Sequence, residues 1–470
     1  MSDRTLYDRV WEQHKVAELP DGQDQLFVGL HLVHEVSSPQ AFDMLQERDL
    51  EVAYPDRTLA VADHIVPTEG EDRKRPLPDD QAETMLSTMD KNAAESEIAY
   101  YGLESDEQGI THVVAPELGY THPGMVVACG DSHTSTHGAL GAIGIGIGSS
   151  QIRDVLATQT FATEKQDVRR LEMVGELDDW VSAKDMMLRI LQELGIDGGV
   201  GYVYEYGGPA VSTLGIEARL ALCNMSIEGG ARAGYVNPDE TTYEYLKGRA
   251  YAPSGDEWDR RKEYWESIRS DGDAEYDDVV EIDVEDLDPM VTWGINPGQS
   301  VQVSERVPDP ALLEGQARTD AQAAIDHMGI TPGESVAGTP VDVAFIGTCT
   351  NGRVTDFERA AAVLETREID ETVRGIAVPG SQRVKRILED RGVDETFREA
   401  GWEWRHSGCS MCIGMNGDRI YGDELCISSS NRNYVGRQGS EDGRTVLSSP
   451  AMAAAASIEG EIVDVREVVQ

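Results

Sequence analysis

The sequence has few cysteines and no long apolar run. Six cysteines among 470 residues are too few for a disulfide framework, so a reducing cytoplasm is the expected compartment. The segment Met1–Gln13 is charged and lacks the apolar core of a signal peptide. The longest run of small apolar residues, Ala451–Ala456, is far too short to cross a membrane. These absences argue against secreted and membrane-spanning proteins.

Basic residues are also scarce, and lysine is scarcer than arginine. The chain carries 40 basic and 86 acidic residues, a net charge of −46, and only 8 of the basic residues are lysine. The acidic residues are spread along the whole chain, which indicates a protein kept soluble in concentrated salt, where self-repulsion is screened. The same charge argues against nucleic acid or an anionic membrane as a partner.

The length and the alternation of patterns predict several α/β domains. Hydrophobic residues make up 40% of the chain, and 470 residues exceed what one core usually holds. Predicted strands at 341–346 and 374–379 flank a predicted helix at 355–366, an order typical of a parallel sheet. The predicted domains are 1–165, 166–285 and 286–470.

Four glycines lie close together, at positions 141, 144, 146 and 148. Such a run lets two backbones pack closely. It lacks the G-x-G-x-x-G spacing at a strand–helix junction, so it does not predict a nucleotide site.

Three cysteines form a candidate metal site. Cys409 and Cys412 make a Cys-x-x-Cys pair, and Cys349 follows an apolar run sixty residues earlier. Without further information, such thiols could be a redox pair, part of a zinc site or buried core residues. Three converging thiolates, unlike four, would leave one position of a metal centre open. The remaining cysteines lie in apolar contexts and are predicted to be small core residues: Cys129, Cys223 and Cys426.

Two carboxylate–imidazole pairs follow predicted strands. Asp63 directly precedes His64, and Asp131 lies two residues before His133. A carboxylate can set the tautomer of an imidazole and stabilise its charged form, which suits proton transfer to a leaving hydroxyl. Each pair alone could also be a capping aspartate beside a surface histidine. Both pairs fall at the ends of predicted strands, and ligands collect at the strand ends of parallel sheets.

Two further polar groups are candidates for binding. Asn224 and Glu228 lie four residues apart, so a predicted helix at 217–229 would place them on one face. Arg432 and Arg437 lie in a polar loop after Asn431, and guanidinium groups bind carboxylates through two parallel hydrogen bonds. The alternatives are an exposed polar stripe and surface arginines that neutralise an acidic protein.

Six motifs occur together in chain order: Leu32–Val36, Cys129–Thr134, Cys223–Met225, Gly347–Asn351, Gly408–Cys412 and Asn431–Arg437. Their combination is specific, although no single motif is. Together they resemble the aconitase superfamily, and the resemblance extends from about Leu6 to about Val465.

The resemblance implies three α/β/α domains packed around an iron–sulfur cluster. The implied ligands of one [4Fe-4S] cluster per chain are Cys349, Cys409 and Cys412. One iron would stay open and bind the substrate hydroxyl and a carboxylate as a Lewis acid. The residues implied to assist the departure and return of the hydroxyl are Asp63, His64, Asp131 and His133.

Five more residues match positions with a role in the family. Glu228 matches an active-site carboxylate near the bound water. Asn224 and Asn431 match residues that line the cluster, and Arg432 and Arg437 match arginines of the substrate site.

The sequence departs from the family pattern in two places. Relatives often carry an aspartate just before the Leu32–Val36 region, where this chain has Gly29-Leu30. Single-chain aconitases continue into a fourth, swivelling domain that supplies a catalytic serine and an arginine, and this sequence ends before such a domain. The resemblance therefore implies a separate small subunit that carries both groups.

The implied reaction is the isomerisation of 2-isopropylmalate to 3-isopropylmalate in leucine biosynthesis, by dehydration and rehydration through isopropylmaleate. The same chemistry on citramalate, citraconate or homoaconitate is the closest alternative, because the partner reads much of the substrate side chain. An RNA-binding iron sensor is disfavoured by the charge of −46. Electron transfer is disfavoured by three cysteines in place of four.

Overall fold

The computed structural model describes residues 4–469, which form two compact units. The first unit comprises residues 4–63, 75–175 and 199–282, and the second comprises 64–74, 176–198 and 283–469. The predicted three-domain division stays a prediction, and its end residues, 1–3 and 470, lie outside the described part of the chain. None of the helices in residues 4–469 combines the length and the apolar composition needed to cross a bilayer.

Both units mix strands and helices, as the α/β prediction requires. The strands are β1 Lys15–Glu18, β2 Asp24–Phe27, β3 Leu30–His34, β4 Thr58–Val61, β5 Ala99–Tyr101, β6 Val126–Cys129, β7 Ile143–Gly146, β8 Thr160–Thr163, β9 Asp167–Val174, β10 Tyr202–Gly207, β11 Gly234–Val236, β12 Asp278–Asp283, β13 Met290–Thr292, β14 Ser300–Gln302, β15 Val343–Ile346, β16 Arg374–Ala377, β17 Glu403–Trp404, β18 Leu425–Ser428 and β19 Arg444–Leu447.

The helices lie between these strands. They are α1 Leu6–His14, α2 Pro39–Gln46, α3 Asp80–Glu95, α4 Thr111–Leu118, α5 Ser149–Thr158, α6 Ala183–Leu194, α7 Pro209–Thr213, α8 Ile216–Asn224, α9 Glu240–Leu246, α10 Asp256–Ser267, α11 Gly315–Met328, α12 Thr348–Asn351, α13 Val354–Leu364, α14 Gln382–Asp390, α15 Val393–Glu399, α16 Pro450–Glu459 and α17 Val465–Val468. Three 3-10 segments matter for the site: Ser132–Leu140, Met225–Gly229 and Ser410–Cys412.

The first unit contains a parallel sheet in the order β5-β4-β3-β6-β7. Its central strands are buried on both faces, which explains their nearly continuous apolar sequences. Glu35 directly follows β3. Asp63 lies two residues after the end of β4, and Asp131 lies two residues after the end of β6. Because β4, β3 and β6 are parallel neighbours, their carboxyl ends bring these three side chains to one edge of the sheet.

The glycine run permits a close contact beside this edge. A Cβ at Gly144 would lie 2.0 Å from the backbone oxygen of Thr134, and one at Gly146 would lie 2.8 Å from that of Asp131. The strand β7 can therefore lie directly against the segment that carries Asp131 and His133. The predicted role of the run in close backbone packing is confirmed for Gly144 and Gly146, whereas Gly141 faces the side chain of Pro238 and a Cβ at Gly148 would meet no atom within 4 Å.

A second sheet of the first unit has the order β11-β10-β9-β12, and its first three strands are parallel. After β10 the chain forms α8, which ends at Asn224 and continues as the 3-10 turn Met225–Gly229. The sequence-based prediction of one helix through residue 229 is therefore wrong in its last turn. The hydroxyl of Ser226 donates to the backbone oxygen of Cys223 at 2.9 Å, and Gly230 takes a left-handed conformation with φ +81°. The contact of Ser226 favours the end of α8, and Gly230 ends the 3-10 turn that follows it.

The second unit contains a parallel sheet in the order β17-β16-β15-β18-β19. The predicted strand–helix–strand unit is confirmed as β15, α13 and β16. Cys349 follows β15 by three residues, and Asn431 follows β18 by the same number. Because β15 and β18 are parallel neighbours, both residues lie at the same edge of the sheet. Cys129, Cys223 and Cys426 are fully buried, in agreement with their predicted place in the core.

Candidate active site

Asp131 is the centre of a polar cluster in the first unit. Its Oδ1 accepts the backbone N–H of His133 at 2.7 Å, and it lies 3.2 Å from Nε2 of His112 and 3.4 Å from Nδ1 of His133. The other ring nitrogen of His133, Nε2, lies 2.9 Å from Oε1 of Glu228. The histidines are 2% and 3% exposed, so water screens these contacts little. Such a cluster can hold a proton and move it between imidazole and carboxylate groups.

His112 was missed by the sequence-based reasoning. It lies at the second position of α4 and 19 residues before Asp131, with no acidic residue next to it in sequence. A histidine in such a context gives no local signal of function. Only the approach of α4 to the end of β6 makes it a partner of Asp131.

Asp63 is held at the same sheet edge by two backbone contacts. Its backbone N–H donates to Oε2 of Glu35 at 3.0 Å, and its own Oδ2 accepts the N–H of Thr111 at 3.0 Å. Glu35 is fully buried, although it was predicted only as part of the Leu32–Val36 motif. Asp63 therefore contacts the first residue of α4, the helix that carries His112.

His64 follows Asp63 in sequence but begins a segment of the second unit. It is 9% exposed, and one of its ring nitrogens lies within 4.8 Å of the sulfur of Cys409. The predicted joint action of Asp63 and His64 stays a prediction.

Asn224 and Glu228 both contact the 3-10 segment that follows Asp131. The side-chain amide of Asn224 donates to the hydroxyl of Thr136 at 2.8 Å, while Glu228 lies beside His133. The backbone oxygen of Asn224 accepts the hydroxyl of Ser135 at 3.2 Å. Although the helix ends between the two residues, both side chains reach the same segment.

The three candidate metal ligands lie in the second unit and are buried. Cys349 is in the short helix α12, and Cys409 and Cys412 belong to one tight turn in which the N–H of Cys412 donates to the backbone oxygen of Cys409. The amide Nδ2 of Asn431 lies 3.5 Å from the sulfur of Cys349, and its Oδ1 lies 3.9 Å from that of Cys412. Nη2 of Arg437 lies 3.6 Å from the same Cys412 sulfur.

This donor set fits an iron–sulfur cluster. The three thiols are buried, and none forms a disulfide with another cysteine in residues 4–469. The amide of Asn431 lies beside Cys349 and Cys412, and the guanidinium group of Arg437 lies beside Cys412; such groups stabilise thiolate sulfur by hydrogen bonding and charge. A redox disulfide pair would not require the third thiol or the bridging position of Asn431. The number of ligands on the cluster stays a prediction.

Both cysteine loops contain a strained residue beside a thiol. Thr348 precedes Cys349 with φ +74°, and Ser410 follows Cys409 with φ +51°. Residues with a side chain rarely adopt this region, and such strain persists only where the surroundings impose it. The hydroxyl of Ser410 donates to Oδ2 of Asp418 at 2.5 Å, which fixes the second loop.

The two predicted substrate arginines differ in their surroundings. Arg437 is 9% exposed, and its Nη1 donates to the hydroxyl of Tyr434 at 2.8 Å. Arg432 is half-buried in the loop between β18 and β19. Their role in binding carboxylates stays a prediction.

A buried lysine that the sequence did not reveal also supports this loop. Lys184 on α6 is fully buried, and its ammonium group donates to the backbone oxygen of Ser430, the residue before Asn431. Burial lowers the pKa of Lys184 to about 7, and the nearby charges of Asp185 and Asp356 oppose this shift.

Comparison with known proteins agrees with this geometry. The model of the aconitase family (aconitate hydratase) matches residues 8–460. Proteins named 3-isopropylmalate dehydratase large subunit are similar to this chain along its whole length. That of Salinibacter ruber is 59% identical over 472 residues, covering 100% of both chains. That of Haloferax volcanii is 60% identical over 469 residues, covering 100% of this chain and 99% of its own. That of Natronomonas pharaonis is 59% identical over 469 residues, covering 100% and 98%. The chain belongs to the aconitase family.

Proposed function

We propose that this chain is the large subunit of a hydro-lyase that interconverts 2-isopropylmalate and 3-isopropylmalate through isopropylmaleate. The observation that carries the proposal is the 59–60% identity, over the whole chain, to proteins with that name. The buried carboxylate–imidazole cluster around Asp131 and the three thiols supply the groups that a reversible dehydration needs.

Membership of the aconitase family implies an iron–sulfur cluster. The proposed ligands of a [4Fe-4S] cluster are Cys349, Cys409 and Cys412, with one iron left open. When bound, the cluster supplies a Lewis acid for the substrate hydroxyl. Asn431 would hold the two cysteine loops in position, because its amide lies beside a sulfur of each loop.

The proton chemistry is assigned to the first unit. Asp131 lies 3.2 Å from Nε2 of His112 and 3.4 Å from Nδ1 of His133, so its carboxylate stabilises a proton on either imidazole. His133 and Glu228 share a second proton position between Nε2 and Oε1. These groups are proposed to deliver a proton to the departing hydroxyl and to recover it on rehydration.

Binding of the substrate carboxylates is assigned to Arg432 and Arg437, whose planar guanidinium groups suit that task. Asp63 and His64 are proposed to act with the Asp131 cluster on the hydroxyl. The name of the relatives implies a small-subunit partner. We infer that this partner carries a swivelling domain with the catalytic serine and a further arginine.

The test is anaerobic hydration in high salt. The reconstituted chain, alone and with its small subunit, is assayed with isopropylmaleate, citraconate, cis-aconitate and cis-homoaconitate. We expect activity only with the partner and the highest kcat/KM on isopropylmaleate. Preference for another acid would overturn the substrate assignment, and full activity of the chain alone would overturn the placement of the base on the partner.

A further inference from the structure

A chain of hydrogen bonds extends from Asp131 into the interior of the first unit. Nε2 of His112 lies 3.2 Å from Oδ1 of Asp131, and Nδ1 of His112 lies 3.1 Å from Nε2 of His137. Nδ1 of His137 lies 2.8 Å from the hydroxyl of Thr121. Thr121 and His137 are fully buried and have no role in the reaction described above.

The carboxylate at one end sets the direction of every bond in this chain. Asp131 already accepts the backbone N–H of His133 through the same oxygen, and an ionised carboxylate can only accept. Nε2 of His112 must therefore carry the proton. In a neutral imidazole the other nitrogen is then an acceptor, so Nδ1 of His112 must accept a hydrogen bond.

That donor is His137. If Nε2 of His137 carries its proton, then Nδ1 of His137 is the acceptor and faces the hydroxyl of Thr121, which can donate. The opposite arrangement would point an unprotonated Nε2 of His112 at the carboxylate. Only one assignment of protons therefore satisfies all three contacts between neutral histidines and an ionised Asp131.

His137 is well placed to hold its neighbour in this state. The rings of His112 and His137 meet edge to face, with centroids 5.3 Å apart and an interplanar angle of 73°. The next residue, Gly138, lies so close to Gly234 that a Cβ would be 1.7 Å from the backbone oxygen of Gly234. The backbone that carries His137 therefore has little freedom to shift.

We propose that His137 is a positioning residue that fixes the Nε2–H tautomer of His112, and that Thr121 in turn fixes the tautomer of His137. This inference rests on the proposed role of the His112–Asp131 pair in proton transfer. A wrong tautomer would point a lone pair of His112 at Asp131 and remove the proton from the contact. The same logic applies wherever a buried group orients a catalytic imidazole.

The test uses two matched pairs of variants in the reconstituted complex with its small subunit. His137→Gln keeps an N–H donor near Nδ1 of His112, whereas His137→Leu removes it. Thr121→Ser keeps the hydroxyl, whereas Thr121→Val removes it at nearly constant volume. The control is His122→Gln, next to Thr121. His122 contacts the backbone oxygen of Gly119 and takes no part in the series of hydrogen bonds from Asp131 to Thr121.

We expect His137→Leu to lower kcat on isopropylmaleate at least about tenfold with little change in KM, and His137→Gln to recover most of that loss. Thr121→Val should lower kcat more than Thr121→Ser, and His122→Gln should match the wild type. Equal losses for His137→Leu and His137→Gln would overturn the proposal, as would unchanged kcat in both.

A spectroscopic measurement separates this proposal from a merely structural role. Nitrogen NMR of complex labelled with ¹⁵N-histidine, assigned with a His112→Asn variant, reports which ring nitrogen of His112 carries the proton. We expect protonated Nε2 in the wild type and a mixture of tautomers in His137→Leu. Protonated Nδ1 in the wild type would overturn the proposal. If the wild-type complex hydrates none of the four acids, the proposed function fails, while this readout still tests His137.

Discussion

The environment of Cys349 and Cys412 differs from that of the core cysteine Cys426. Cys349 and Cys412 lie beside the polar side chains of Asn431 and Arg437, whereas Cys426 lies in an apolar cluster of the second unit. Burial raises the pKa of Cys426 far above the usual thiol range, so it stays protonated and is a poor metal ligand.

The first prediction concerns these thiols. We expect serine at position 349, 409 or 412 to abolish or strongly reduce the visible absorption of the reconstituted cluster, because a hydroxyl is a poor replacement for thiolate. Cys426→Ser is the matched control and should retain the cluster. Iron content and the absorption spectrum, both measured anaerobically, check this. A full cluster in Cys409→Ser would contradict the ligand assignment.

His31 is a buried histidine with no place in the site. It lies on β3, is fully buried, and neither ring nitrogen has a hydrogen-bond partner among residues 4–469. Burial therefore lowers the pKa of His31 to about 3. Below pH 6.5 the unfolded chain takes up a proton at this residue, and the folded chain does not until the pH approaches 3.

The second prediction follows from that difference. As the pH falls from 6.5 towards 3, His31 lowers the free energy of unfolding by about 1.4 kcal/mol per pH unit. His31→Leu should therefore lose less stability than the wild type between pH 7 and pH 5, by about 2 kcal/mol. Denaturant unfolding at both pH values in constant salt measures this, with His327→Gln as the control. The same loss in wild type and His31→Leu would contradict the account.

At the scale of elements, the turn that carries Cys409 and Cys412 is fixed by a single carboxylate. Asp418 accepts the hydroxyls of Ser410 at 2.5 Å and Thr68 at 2.6 Å, and Nη1 of Arg405 at 2.6 Å. The side chains of Arg405 and Asp418 are 9% and 6% exposed, so the ion pair is largely shielded from water. Arg405 also contacts the carboxylates of Glu69 and Glu403, so its charge stays paired when Asp418 is removed. What is lost is the charged acceptor of Nη1 and of both hydroxyls.

The third prediction is that Asp418→Asn destabilises the second unit by about 2 kcal/mol and accelerates loss of the cluster, because hydrogen bonds to a charged acceptor are stronger than those to an amide. Thermal unfolding and the decay rate of cluster absorption in air measure the two effects. The control is Asp423→Asn, at an exposed carboxylate of the same unit. If Asp418→Asn loses its cluster no faster than Asp423→Asn, the carboxylate does not hold the turn.

Some helices and strands could be predicted from local sequence patterns alone. β15, α13 and β16 were predicted because their apolar periodicity is strong and local. The end of α8 at Asn224 was not predicted, because the turn that follows it depends on the contacts of Ser226. The hydroxyl of that residue contacts both Cys223 and the distant Tyr206.

At the scale of the whole molecule, the charge of −46 is the dominant property. The fourth prediction is that the melting temperature rises steeply with salt, because the Debye length falls from about 10 Å at 0.1 M to about 3 Å at 1 M. KCl and tetramethylammonium chloride at equal ionic strength should act alike if screening is the cause. Stabilisation by KCl alone would contradict screening and indicate specific binding of the cation.

The division into two compact units was also not predicted from the sequence. The patterns predicted three consecutive domains, and each predicted range contains one of the large sheets. The folded chain nevertheless groups the first two of these sheets in one unit, and it places residues 64–74 and 176–198 in the other. Such grouping depends on contacts between segments far apart in sequence, which local patterns do not record.

Composition and short motifs were enough to predict the α/β class and the family and to single out the candidate thiols, because each of these depends on residue types or on local spacing. Which groups face Asp131, and which tautomer they impose, required the folded chain. His112 lies 19 residues from Asp131, and Glu228 lies 95 residues from His133. His112 lies on α4 and Glu228 lies in the turn after α8, so both reach the segment that follows β6 only when the chain has folded. Contacts between residues so far apart in sequence leave no local pattern.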